Sequence, residues 1–170
     1  RDLHGRTLTG AGLGHSRGMS EPRVFIETFT GIDMHSTVKG HDKHLHVLSF
    51  EYAVDIATRD GAAIGRCEHH PVIMTFVADV ETAMLLDALV KNSDIKEITV
   101  KFYRHQSAKW SAYSVITLKQ ARAVAMRLRY AADDGLPTYH VTATFVYGQI
   151  EVECVKKKFA DQVFDPTPRQ

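Results

Sequence analysis

The chain has 170 residues, with 21 Lys and Arg against 20 Asp and Glu and a formal net charge of +1. That length suits one domain able to bury its own core. The charge balance excludes a dedicated nucleic-acid binder, which carries a clear basic excess, and leaves little repulsion between copies. No run approaches the roughly 18 apolar residues of a membrane helix, and the start lacks the apolar centre of a secretory signal. Cys67 and Cys154 are too few and too far apart for a disulfide framework. They are expected to be small core residues of a protein folded in the cytosol.

Residues 1–18 differ from the rest of the chain. They hold Gly5, Gly10, Gly12, Gly14 and Gly18, and charges Arg1, Arg6 and Arg17 against Asp2, with almost no apolar periodicity. They read as a vector remnant or translated upstream sequence before a native start at Met19, or as a native flexible basic arm. In either case they cannot bury enough apolar area to offset their ordering entropy when isolated. Without the three arginines and one aspartate of this segment, the remainder carries 18 basic and 19 acidic residues, a net −1. The domain itself is therefore close to neutral. One domain is expected over 19–158, with a basic, then proline-containing tail over 159–170.

From Arg23 the period is two. Arg23–Thr30 reads as a strand, and Gly31–Asp42 as a polar loop long enough to suggest an interaction element. His44–Ile56 alternates, and His44, His46, Leu48, Phe50, Tyr52, Val54 and Ile56 form the face expected to point to the core from Leu48 onward. Arg59-Asp60-Gly61 is a turn signal and Gly65 a second break. Pro71 precedes a strand over Val72–Val77, at an early or edge position.

Asp79 then N-caps a helix over Val80–Asn92, with Glu81 and Lys91 matched to its dipole and Met84, Leu85, Ala88 and Leu89 on its apolar face. Strands resume at Ile95–Arg104, Trp110–Leu118 and Ala121–Tyr130, the last alternating Val124, Met126, Leu128 and Tyr130 with arginines. Asp133-Asp134-Gly135-Leu136-Pro137 is the strongest turn signal. Thr138–Tyr147 and Ile150–Val155 come last, separated by Gly148. Seven or eight strands with one helix predict a mainly β fold, a two-sheet β-barrel with one flanking α-helix.

No chemistry assembles from these residues. His35, His41, His44 and His46 cluster, and His44 and His46 share a strand face, but no acidic or thiol companion completes a metal set. Loop and surface histidines are the simpler reading. Ser49 and Ser114 lack a nucleophile elbow, and neither cysteine has a motif that lowers its pKa. Asp133/Asp134 and Glu151/Glu153 read as turn and solvent-face residues. There is no phosphate-binding glycine fingerprint. Lys156-Lys157-Lys158 is too short for a nucleic-acid footprint. No cofactor, metal or catalytic residue is expected, and a binding or assembly role is left by default.

Five motifs over residues 40–118 resemble the hemolysin-coregulated protein (Hcp) family of type VI secretion. Gly40-His41 leads to Val47-Leu48-Ser49-Phe50. His69-His70-Pro71-Val72 opens the next strand. Asp79 leads a helix with Leu85-Leu86-Asp87-Ala88-Leu89. Then come Ile98-Thr99-Val100-Lys101-Phe102-Tyr103-Arg104 and Tyr113-Ser114-Val115-Ile116-Thr117-Leu118. The helix start departs from the family at Ala83, where proline is common.

The resemblance implies a barrel of two sheets, similar to phage tail-tube proteins. It implies six-membered rings stacked into the inner tube of the secretion machine. The implied partners are further copies of the chain, the type VI spike, sheath and baseplate components, and secreted effectors carried in the channel, with no nucleic acid and no membrane insertion. Synthesis in the bacterial cytoplasm and export to the extracellular space or a target cell are also implied. Leu48, Ser49, Phe50, His69, Pro71, Asp79, Leu86, Leu89 and Phe102 are the matching structural positions. Gly31, Asp33, His35, Lys39, Gly40, His41 and Asp42 are the candidate contact loop between subunits or rings. The competing expectations are a monomeric or dimeric β-barrel that binds a small ligand, which needs a closed ligand-sized pocket, and a hydrolase using the histidine cluster.

Overall fold

The structure is a computed structural model that describes residues 23–34, 40–106, 109–133, 136–154 and 157–162. Its strands are β1 (Arg23–Phe29), β2 (Leu45–Glu51), β3 (Val54–Arg59), β4 (Ala62–His69), β5 (Val72–Val77), β6 (Ile95–Gln106), β7 (Lys109–Asp133), β8 (Leu136–Val146), β9 (Gln149–Cys154) and β10 (Lys157–Gln162), with one helix, α1 (Val80–Val90), among the described residues. All pairings are antiparallel. The order β7-β6-β1-β2-β5-β8 closes through a β7–β8 pairing into a six-stranded barrel. β9 and β10 extend the sheet outward from β7.

Closure depends on the length of β7, which is one 25-residue strand where the sequence pattern suggested two. Its first half pairs with β6 along one edge and β9 along the other. At Gln120 the backbone turns left-handed (φ 52°), and the second half pairs with β8. The strand therefore bends without ending, because β8 and β9 run nearly end to end along its edge. The link between them is held by Gly148 N–H, which donates to Lys119 O at 3.1 Å.

A six-stranded barrel is narrow enough for side chains to fill it. Ile26, Val72, Met74, Phe76, Ile98, Val100, Leu118, Val141, Ala143 and Phe145 are fully buried inside, and Leu85 enters from α1. Phe29 meets Phe145 edge-on at 5.9 Å.

In β2 the outcome reverses part of the expected pattern. Leu45 and Val47 are buried, while Leu48 is 46% exposed. A bulge between Val47 and Ser49 adds one residue against β5. Because side chains alternate with period two, that residue flips the faces, and Phe50 and Tyr52 return to pack on the core. The strand then breaks before β3, so Val54 and Ile56 are exposed rather than core.

The helix behaves as its ends predict. Asp79 accepts from Val80 N–H at 2.8 Å, and Thr82 Oγ1 accepts from Asp79 N–H at 3.2 Å, a reciprocal capping box. It stops two residues before the expected end because Asn92 adopts φ 52°. Ser93 N–H then reaches Ala88 O and Asn92 N–H reaches Leu89 O, the Schellman arrangement. Lys91 therefore lies just past the helix, where it pairs with Asp87 at 2.7 Å. Asp79→Ala is expected to cost about 1 kcal/mol, measured as a lower urea midpoint with unchanged slope.

Three further readings are corrected. Residues 62–69 form a strand, with Gly65 at φ 91° beside an irregularity opposite Ile56–Thr58. The glycine permits a bulge rather than marking a break. Lys157–Gln162 pair with β9, so the first part of the expected tail is a sheet edge. Both cysteines are exposed free thiols rather than core residues. Cys154 lies 3.2 Å from Ser114 Oγ.

Candidate functional site

Two features lie outside the barrel wall, and both come from the stretch between β1 and β5. The first is the β3–β4 hairpin. Asp60 (φ 51°) and Gly61 (φ 78°) are both left-handed, the two-residue turn whose twist matches paired strands. The hairpin forms its own two-stranded sheet. Every residue from Val54 to Glu68 is exposed. Val54 and Ile56, each 42% exposed, lie on one face opposite His69 and Cys67.

Polar contacts tie the hairpin's base to the barrel. His70 Nε2 meets Asp55 Oδ2 at 2.8 Å, and Tyr52 Oη meets His69 Nδ1 at 2.8 Å. Tyr147 Oη donates to His70 O at 2.9 Å. Burial, aided by Tyr52, pushes the Tyr147 phenol well above its usual range, so it remains a donor.

The second feature covers the outer face of β1. Ile26 points into the barrel. Phe25 points away from it and is nevertheless fully buried. The cover is the end of the Gly31–Asp42 loop and the start of the strand after it. The His41 ring lies flat on Phe25, with centroids 3.9 Å apart and planes 4° from parallel. His46 and Tyr103 flank the same ring at 5.1 and 6.0 Å. His41 Nδ1 and His44 Nδ1 are 2.8 Å apart, and His44 N–H donates to His41 O at 2.9 Å. Burial holds both His41 and His46 below the ordinary histidine value, with electrostatic repulsion from His44 and Arg23 adding at His41 and from Arg23 at His46.

Beside this cap, burial would raise Glu27. Hydrogen bonds from Lys101 and Tyr103 and the charge of Lys101 outweigh it and keep the carboxyl below its ordinary value.

Of the expected contact-loop residues, Gly31 and Asp33 lie where the chain leaves β1, and Gly40, His41 and Asp42 lie at the cap. His35 and Lys39 fall outside the described residues. Among the family-motif positions, Phe50 packs edge-on against Phe102 at 5.2 Å, and His69, Pro71 and Asp79 lie at element starts and ends. Ser49 sits exposed opposite Thr75. Leu89 packs on the core from α1, while Leu86 is 45% exposed on the helix's outer side.

The alternation in β1 concealed the histidine cap, because Phe25 belongs to a strand whose neighbouring residue Ile26 is equally buried. The available signal was the loop's density of histidines beside a two-sided apolar strand.

No group of three or more His, Cys, Asp or Glu side chains among the described residues is placed to hold a metal ion. No helix among them is long and apolar enough to cross a membrane. Among the described residues, Met74, Phe76 and Phe145 are fully buried in the barrel interior. A groove of about 490 Å³ lies outside it, between α1 and Gly31–Ile32. The barrel is lined by buried side chains, and its projecting hairpin carries apolar residues in the open. An exposed apolar arm beside a packed core suits contact with another surface.

The model of the family described as type VI secretion system effector, Hcp, matches residues 26–154. The chain belongs to the Hcp family and is a type VI secretion tube protein. Solved structures agree on the fold. A crystal structure of an Hcp protein superposes with TM-score 0.72 at 16% identity, covering 85% of this chain and all of that one. Hcp1 from E. coli EAEC 042 gives 0.70 at 17%, covering 83% and 97%. The secreted protein Hcp3 from Pseudomonas aeruginosa gives 0.64 at 20%, covering 83% and 96%. No curated protein sequence matches the chain.

Proposed function

We propose that this chain closes into six-membered rings that stack as the inner tube of a type VI secretion machine and carry small effectors in the channel. The observation that carries this reading is the β3–β4 hairpin, whose residues Val54–Glu68 are all exposed although Val54, Ile56 and Ile64 are large and apolar. An isolated two-stranded hairpin is marginal in water, so such an arm gains stability when a neighbour covers it. A single patch that docks on a different patch of the next copy generates a ring when the rotation closes.

In this reading the loop residues Gly31, Asp33, Gly40, His41 and Asp42, with His35 and Lys39, meet a neighbouring subunit or ring. The spike caps the tube, and the sheath and baseplate surround and seat it. The protein's work is mechanical and structural, with no catalytic step. Static light scattering at about micromolar concentration is expected to give a particle six times the 19.0 kDa chain. A 19.0 kDa particle under those conditions would contradict the reading.

A further inference from the structure

We propose that the His41–His44 pair is an acid-opened latch that holds the end of the Gly31–Asp42 loop over Phe25. The geometry carries the argument. Phe25 is fully buried on the barrel's outer face, and its cover there is a histidine ring stacked at 3.9 Å. That ring is fixed from its edge by the second histidine, Nδ1 to Nδ1 at 2.8 Å.

Such a contact needs one nitrogen to donate and the other to accept. Two neutral rings satisfy it, and so does one neutral and one protonated ring. When both rings are protonated, both nitrogens carry hydrogens and face each other as cations at contact distance. The pair therefore binds one proton without opening, and the second proton splits it.

The surroundings set the sign. From β1, Arg23 opposes charge on His41 and Glu27 favours it; Asp42 in the loop also favours it. His46 adds a third ring beside Phe25, and Lys101 and Tyr103 face the site from β6 but are engaged by Glu27. Glu27 stays anionic through the histidine range because its carboxyl lies below its ordinary value of 4.5. Burial and His44 outweigh these acids and keep His41 below its ordinary value of 6.5. A group held low in this way stabilises the closed form fully above 6.5. That contribution is lost as the pH falls through its folded value. An imidazolium can still rest on a phenyl face, so the stack alone does not open the latch. The splitting of the pair does.

Opening frees residues 40–44 and uncovers Phe25. If the loop is a contact between copies, which rests on the proposed function, acid also weakens assembly. Hydrogen exchange of the 40–46 segment tests the latch, corrected for intrinsic rates at pH 7.5 and pH 5. The wild type is expected to lose at least tenfold in protection at the lower pH. His44→Gln should lose clearly less protection than the wild type, because an amide can accept from a protonated His41. His41→Phe, which keeps the ring but removes its proton, should lose most of the pH dependence, leaving only the part that His46 supplies.

Equal wild-type protection at the two pH values would overturn the latch, as would a His44→Gln variant that opens like the wild type. Light scattering on the same samples separates the two ideas. A monomer with pH-dependent protection sinks the ring and spares the latch. A ring with unchanged protection does the reverse.

Discussion

Phe145→Ala is expected to lower the stability of the folded chain by about 3–5 kcal/mol. Phe145 is fully buried, sits on β8 opposite both Val72 of β5 and Ala123 of β7, and meets Phe29 edge-on. It therefore lies at the seam where the barrel closes, and its loss empties space shared by four strands. A rigid wall of paired strands cannot collapse into that space, which places the cost toward the upper part of the range. Thermal unfolding should shift down by roughly 10 °C or more for a domain of this size. A shift of only a degree or two would mean that the barrel interior is far less tightly packed than its burial indicates.

The second large effect concerns assembly rather than folding. Val54→Ser together with Ile56→Ser removes the apolar strip on one face of the β3–β4 hairpin. Both residues are 42% exposed and contribute nothing to the barrel core. Stability should therefore change by less than about 0.5 kcal/mol, as for exposed sites generally. Self-association should weaken by tenfold or more, because apolar anchors at the centre of a contact carry most of its energy. Light scattering reads the association and urea unfolding reads the stability. Equal loss of both would mean that the hairpin supports the barrel. No loss of either would remove the hairpin from the contact.

Much of the barrel was legible in the alternation. β1, β5, α1 and β8 follow their patterns because their apolar positions recur at the spacing of the element they form. The failures share a physical origin. In β2 one extra residue at Val47–Ser49 reversed the faces, and no composition signal marks a bulge. At Gln120 a strand continued through a left-handed residue that is not glycine, so two segments read where one exists. At Gly65 a glycine that looked like a stop serves as a bulge inside an exposed hairpin. The cysteines looked like core residues by type, but they lie on strands whose outer faces are open.

The candidate site was half legible. The loop was marked as a contact element by its length, its glycines and its polar tips. That its end folds back to bury Phe25 depends on the β1–β2 register, Phe25 opposite His46, which only the fold supplies. The five family motifs carried the function further than any single residue could, because Phe50 and Phe102 meet in space although about fifty positions separate them.

Negative-stain imaging of the purified chain at neutral pH tests the central claim most directly. Rings with an open centre and sixfold symmetry, singly or in stacks, are the predicted result. A field of small featureless particles at a concentration where the chain is folded would contradict it.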